Sequence, residues 1–138
     1  LPISEDEKPL VEFLRPAWTR DDGLERSRAF IDAYMKYWDS HSAVLRVRNL
    51  KAEEGVKEFR EVRSEANLLI IAAIKDMVAE GIKSGRLDKG LDPFTVAAAL
   101  LAMIERLLGF QNEMAKRGSS RDDIRETLAR LCVGALAG

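Results

Sequence analysis

The chain has 138 residues, 46% hydrophobic and 33% charged, which describes one domain with enough apolar material for a real core. Its 22 Lys and Arg against 23 Asp and Glu leave a formal charge of -1, so nothing in the bulk charge draws it to nucleic acid or to anionic lipid. A single Cys and a single His exclude an internal disulfide and a His or Cys metal cluster, and fit a reducing, cytoplasmic setting.

Strand signals are nearly absent, and the chain reads as all-α, a bundle of about five to six helices. The first helix is expected from Ser4 to Leu14, with Ser4 as cap, Glu7 three residues on and Pro16 beyond its end. After a loop through Asp21 and Gly23, Phe30, Ile31, Tyr34, Tyr37, Trp38 and His41 recur at spacings of three and four and form an aromatic helix face. Ser40 or Ser42 is expected to cap a separate short helix through "AVLRVRNLKA", and Gly55 to break the chain before a long helix from Val56 to Lys83. In that helix Phe59, Val62, Ala66, Ile70, Ala73 and Met77 make one apolar stripe, and Ile71, Ile74, Val78 and Ile82 begin a second halfway along. Gly85 ends it, and Asp92-Pro93 opens the next as N-cap and first residue. That next helix contains "AALLAMIERLLGF", apolar on nearly every side, and is expected to run to about Lys116. Its longest apolar run, Val96 to Ile104, is far below the ~20 residues a bilayer span needs. Ser120 caps the last helix, with Ile124, Leu128, Leu131 and Ala135 on one side and Thr127, Cys132 and Leu136 on another.

Catalytic constellations are poor. "SHS" at Ser40 to Ser42 lacks the sharp glycine-framed turn of a nucleophilic serine, no Gly-rich loop precedes a helix, and no metal or cofactor set is present. Binding is better supported, because four of the nine aromatic residues crowd onto one helix as Phe30, Tyr34, Tyr37 and Trp38. Arg63, Asn67 and Glu105 interrupt otherwise apolar faces, and a buried charge needs a partner. Adjacent Arg106 points about 100° away on the helix, so Arg63 on another helix is the candidate partner of Glu105. A helix that is apolar all round needs cover from more than one side, and small residues such as Ala129, Gly134 and Ala135 permit close approach in the last helix. Together these features favour a four-helix seam built from two copies.

The stretches "RAFIDAYMKYWDSHSAVLRV", "FREVRSEANLLIIAAIKDMVAEGIKSGRL" and "LDPFTVAAALLAMIERLLGFQ", spanning Arg28 to Gln111, resemble the C-terminal regulatory domain of the tetracycline-repressor family of transcriptional regulators. The resemblance implies an all-helical ligand-binding and dimerisation domain over residues 1–138. It implies further that the last two long helices pair with those of a second subunit. The remaining helices then enclose a small, largely apolar effector that controls the DNA-binding domain of a repressor. No helix-turn-helix segment is found in these residues, so contact with operator DNA is expected only through a missing N-terminal domain. The expected pocket comprises Phe30, Tyr34, Trp38, Phe59, Val62, Arg63, Asn67, Ile70, Met103, Glu105, Leu107 and Phe110. The expected homodimer seam comprises Leu100, Ile104, Leu108, Leu128, Leu131 and Cys132. Two other readings stay open: a dimeric helical interaction module whose aromatic stripe is solid core, and a small helical enzyme or carrier using Glu105, Arg63 and Asn67.

Overall fold

A computed structural model describes residues 9–138 apart from residue 56, with the side chains of residues 58–66 outside the described set. Among the described residues there are helices and no strand. Of the helix expected from Ser4 to Leu14, residues 9–12 are helical and residues 1–8 lie outside the described residues. The long helices are α1 (Gly23–Glu53), α2 (Lys57–Lys83), α3 (Pro93–Gly109) and α5 (Arg121–Leu136), with the short α4 (Gln111–Lys116) between the last two. No helix among the described residues is long and apolar enough to cross a membrane.

Sequence chemistry sets most of the boundaries. The Asp92 side chain accepts from the Thr95 backbone N–H at 2.9 Å and from its hydroxyl at 2.6 Å, with Pro93 in the first turn of α3, where its missing N–H is harmless. Ser120 and Asp123 exchange side-chain and backbone hydrogen bonds in a reciprocal cap on α5. Replacing Ser120 by Ala is therefore expected to cost about 1 kcal/mol of unfolding free energy in urea denaturation. An unchanged midpoint would remove the cap from the account.

Two boundaries differ from the sequence reading. The expected break at Ser40 to Ser42 does not occur, and α1 is one helix of 31 residues. Serine is only a weak helix breaker, and Leu45, Arg48 and Ala52 continue the buried face beyond it. In the other direction, the helix expected to reach Lys116 breaks at Phe110, whose backbone N–H bonds the Leu107 carbonyl at 3.1 Å and tightens the last turn before α4 begins.

α1 runs antiparallel along α5 as a polar zipper over a close approach. A Cβ on Gly23 would lie 2.7 Å from Val133 Cγ2, and the Ser27 hydroxyl donates to the Ala129 carbonyl at 2.7 Å. Arg28 grips Glu126 in a fork at 2.6 to 3.1 Å, and Arg121 pairs with Asp39 at 2.7 Å. The hydrogen bonds from Arg28 hold the Glu126 carboxyl below its ordinary value of 4.5, assisted by Arg130. A carboxylate lowered in this way adds stability above its unfolded pKa, and that stability is lost as pH falls through the lower folded value. In the Arg28→Met variant the Glu126 titration followed by NMR should move up toward 4.5. A titration that stays where it was would assign the shift to Arg130 instead.

The other side of α1 packs on α2, and α2 packs on α3. Between them lies a core of Ile31, Leu45, Ile70, Ile74, Val78, Ile104, Leu108 and Leu128, each at most 1% exposed. An edge-to-face ladder runs from Trp18 through Phe30 and Tyr34 to Tyr37, with ring centroids 5.9 to 6.2 Å apart.

Candidate functional site

The second half of α1 and the back of α3 diverge around an open cleft of about 660 Å³. From α1 it is lined by Trp38, Arg46, Asn49, Leu50 and Glu53, and from α3 by Ala102, Met103, Glu105, Arg106 and Gly109, with Phe110 at its end. The spacing Arg46, Asn49, Leu50, Glu53 is one face of a continuous helix. The Arg106 guanidinium lies 4.1 Å from the centre of the Phe110 ring, a cation on an aromatic face.

Glu105 joins this cleft to the core. Its Oε2 accepts from the Tyr34 hydroxyl at 3.1 Å and from Arg48 Nη2 at 3.2 Å, and Arg48 Nε donates to the Asn49 side-chain oxygen at 3.2 Å. The Arg48 side chain is fully buried and that of Glu105 is 13% exposed. Among the described residues the partner of Glu105 is Arg48, on α1; the side chain of Arg63, the expected partner, lies outside the described residues. The polar group at Glu105 brings Tyr34 and Arg48 of α1 to a carboxylate of α3 more than fifty residues away, and no spacing rule links the two helices.

Of the expected pocket residues, Trp38, Met103, Glu105 and Phe110 line the cleft, and Tyr34 supports it from behind through Glu105. Phe30 is 1% exposed and stacks on Trp18 and Tyr34 in the core, and Ile70 is fully buried there as well. Leu107 faces a shallower neighbouring depression with Phe110 and Met114. Asn67 is half-buried, with its side-chain oxygen buried and without a hydrogen-bond partner among the described residues. Phe59 and Val62 fall outside the described side chains. Arg46, Asn49, Leu50, Glu53, Ala102, Arg106 and Gly109 were not anticipated. The signal that would have found the α1 set is the face that emerges when the helix is read straight through Ser42.

The expected seam residues are placed differently from the sequence reading. Leu100, Ile104, Leu108, Leu128 and Cys132 are 8% exposed or less, covered by their own chain. Burial pushes the Cys132 thiol up to about 12. Leu131 alone of the six is half exposed, at 50%. The apolar circumference of α3 is consumed by α1, α2 and α5 on its inner side, and the half-covered remainder is the stripe Val96, Met103, Leu107. Among the described residues no group of three or more His, Cys, Asp or Glu is gathered as a metal site.

The family model described as tetracyclin repressor-like, C-terminal domain, matches residues 10–138. The chain belongs to this family. No curated protein and no solved structure gives a match. Tetracyclin repressor-like C-terminal domains are parts of transcriptional regulators, and the all-helical architecture with two long final helices is the one the sequence resemblance implied. In this tetracyclin repressor-like domain the cleft opens beside the buried Tyr34, Glu105 and Arg48 cluster, away from the zipper between α1 and α5.

Proposed function

We propose that the chain is the ligand-sensing and dimerisation domain of a tetracyclin repressor-like regulator, and that its effector binds in the cleft between α1 and α3. The observation that carries this reading is the cleft itself. Its volume lies within the range of small-molecule sites, and its apolar walls of Leu50, Met103 and Phe110 converge with a few polar groups. Operator binding then belongs to a helix-turn-helix domain outside these 138 residues, and this chain alone, at net charge -1, should not bind duplex DNA specifically.

The homodimer seam is redrawn on what one chain leaves uncovered. Val96, Met103 and Leu107 on α3 follow helix spacing, and Leu131 and Ala135 extend the apolar surface on α5, which packs against α3. A self-complementary patch of this kind suits a two-fold axis.

A thermal-shift screen with apolar and amphiphilic compounds tests the ligand reading. Hits should stabilise the wild type by several degrees and lose that effect when Met103 is replaced by Trp, which fills the cleft from an intermediate position. Stabilisation that persists in the filled variant would place the site elsewhere. The aromatic ladder is solid packing from Trp18 to Tyr37, and this favours the second reading, an interaction module without ligand, for that part of α1.

A further inference from the structure

Resting on the reading of the cleft as the effector site, we infer that its ligand is an apolar monocarboxylate, held with its head group at the Trp38 and Arg106 end. Two independent observations lead there. The Trp38 side chain is 2% exposed, yet it lines the cleft, and its Nε1 is buried with no hydrogen-bond partner among the described residues. Its Cζ2, the ring carbon next to the one bonded to Nε1, lies 3.9 Å from where a Cβ on Gly109 would stand. The nitrogen edge is therefore turned toward a part of the α3 wall that carries no side chain. An indole N–H is a donor and nothing else, so what completes it is an acceptor brought by a guest.

The second observation is charge. Among the carboxylates at the cleft, Glu105 is engaged by Tyr34 and Arg48. Arg46 and Arg106 line the cleft with no carboxylate at ion-pair distance among the described residues. Trp38 beside Gly109 and Arg48 beside Glu105 make α1 and α3 antiparallel here, which puts Glu53 toward Ala102 at the opposite end. At 1.5 Å per residue Glu53 lies about 22 Å along α1 from Trp38, whereas Arg106 is within one turn of Gly109. The Trp38 end thus offers a stranded donor and an unmatched cation. The stretch toward Ala102, with Leu50 and Met103, is apolar. A carboxylate accepts from both donors at once, and charge-assisted bonds of this kind are the strong ones.

Three probes with the same ten-carbon chain separate the possibilities: decanoate, decan-1-ol and decyltrimethylammonium, measured by calorimetry and by ¹H–¹⁵N spectra. The chain has two Trp residues, so Trp38→Phe identifies the Trp38 indole signal by its loss. Decanoate should bind at least about tenfold more tightly than decanol, since a hydrogen bond to a charged group is worth about 1.5–3 kcal/mol. It should also move the Trp38 indole signal. Arg106→Gln should bring decanoate to the level of decanol, and Gly109→Ala, whose new methyl meets the indole at ordinary contact distance, should weaken decanoate selectively. Decanol or the cation binding as well as decanoate, or decanoate binding without moving that signal, overturns the inference and leaves the cleft standing as a ligand site. Binding by none of the three overturns both.

Discussion

Replacing Glu105 by Leu is expected to lower the unfolding free energy by about 3 kcal/mol, because the Tyr34 hydroxyl and Arg48 Nη2 lose the acceptor they share, and a hydrogen bond lost from a buried group costs about 1–3 kcal/mol. The Arg48 side chain has no exposure to water in which to recover that bond. Domains of this size hold about 5–15 kcal/mol in total, so the variant should remain folded but melt well below the wild type. Glu105→Gln keeps an acceptor for Tyr34 and should cost less, and Tyr34→Phe should cost about 1 kcal/mol. A cycle through Tyr34→Phe and Glu105→Leu, each of which removes the hydrogen bond, measures the coupling between the two groups. A Glu105→Leu protein that unfolds in urea at the wild-type midpoint would mean that the cluster contributes nothing to stability.

The second expected result concerns assembly. In analytical ultracentrifugation at micromolar concentration the wild type should sediment as a dimer, and Leu131→Arg should sediment as a folded monomer. Leu131 is 50% exposed on one chain, so arginine there does not disturb the protomer. At a two-fold seam it places an unpaired charge in apolar surroundings twice, at about 3 kcal/mol for each copy, which weakens the dimer on the order of 10⁴-fold. Leu128→Arg makes the contrast. Leu128 is fully buried within the chain, so that variant should unfold and not dissociate. A wild type that sediments as a monomer, or a Leu131→Arg protein that remains dimeric, would count against the proposed seam.

Local chemistry made much of this fold readable. Asp92-Pro93, Ser120 and Gly85 act within a few residues of themselves, and the caps and turns they form are those their side chains and backbone dictate. Ser40 and Ser42 misled because a weak local preference was set against tertiary cover over Leu45 and Arg48, and cover prevailed. The site was half legible for a related reason. Periodicity assigns a residue to a face, but it does not say what covers that face. Phe30 and Trp38 belong to one aromatic segment, yet Phe30 meets Trp18 in the core while Trp38 reaches the cleft. Leu100, Ile104, Leu108, Leu128 and Cys132 likewise carry the right pattern for a seam, but their own chain already covers them. The partner of Glu105 was out of reach in the sequence, since Arg48 became a neighbour only once α1 ran unbroken past Ser42.

That unbroken run makes α1 a beam. At 1.5 Å per residue its 31 residues extend about 46 Å. The first half is clamped to α5 at Ser27, Arg28 and Asp39, and the second half forms one jaw of the cleft. Helices without Pro or an inserted turn curve gently and do not fold at a joint, so a wedge driven between the jaws is not absorbed at its point of entry. Such a displacement would be carried past Asp39 as leverage on α5, the helix that presents Leu131. The cleft and the proposed dimer seam then share one mechanical member, with the Asp39 and Arg121 pair near its fulcrum.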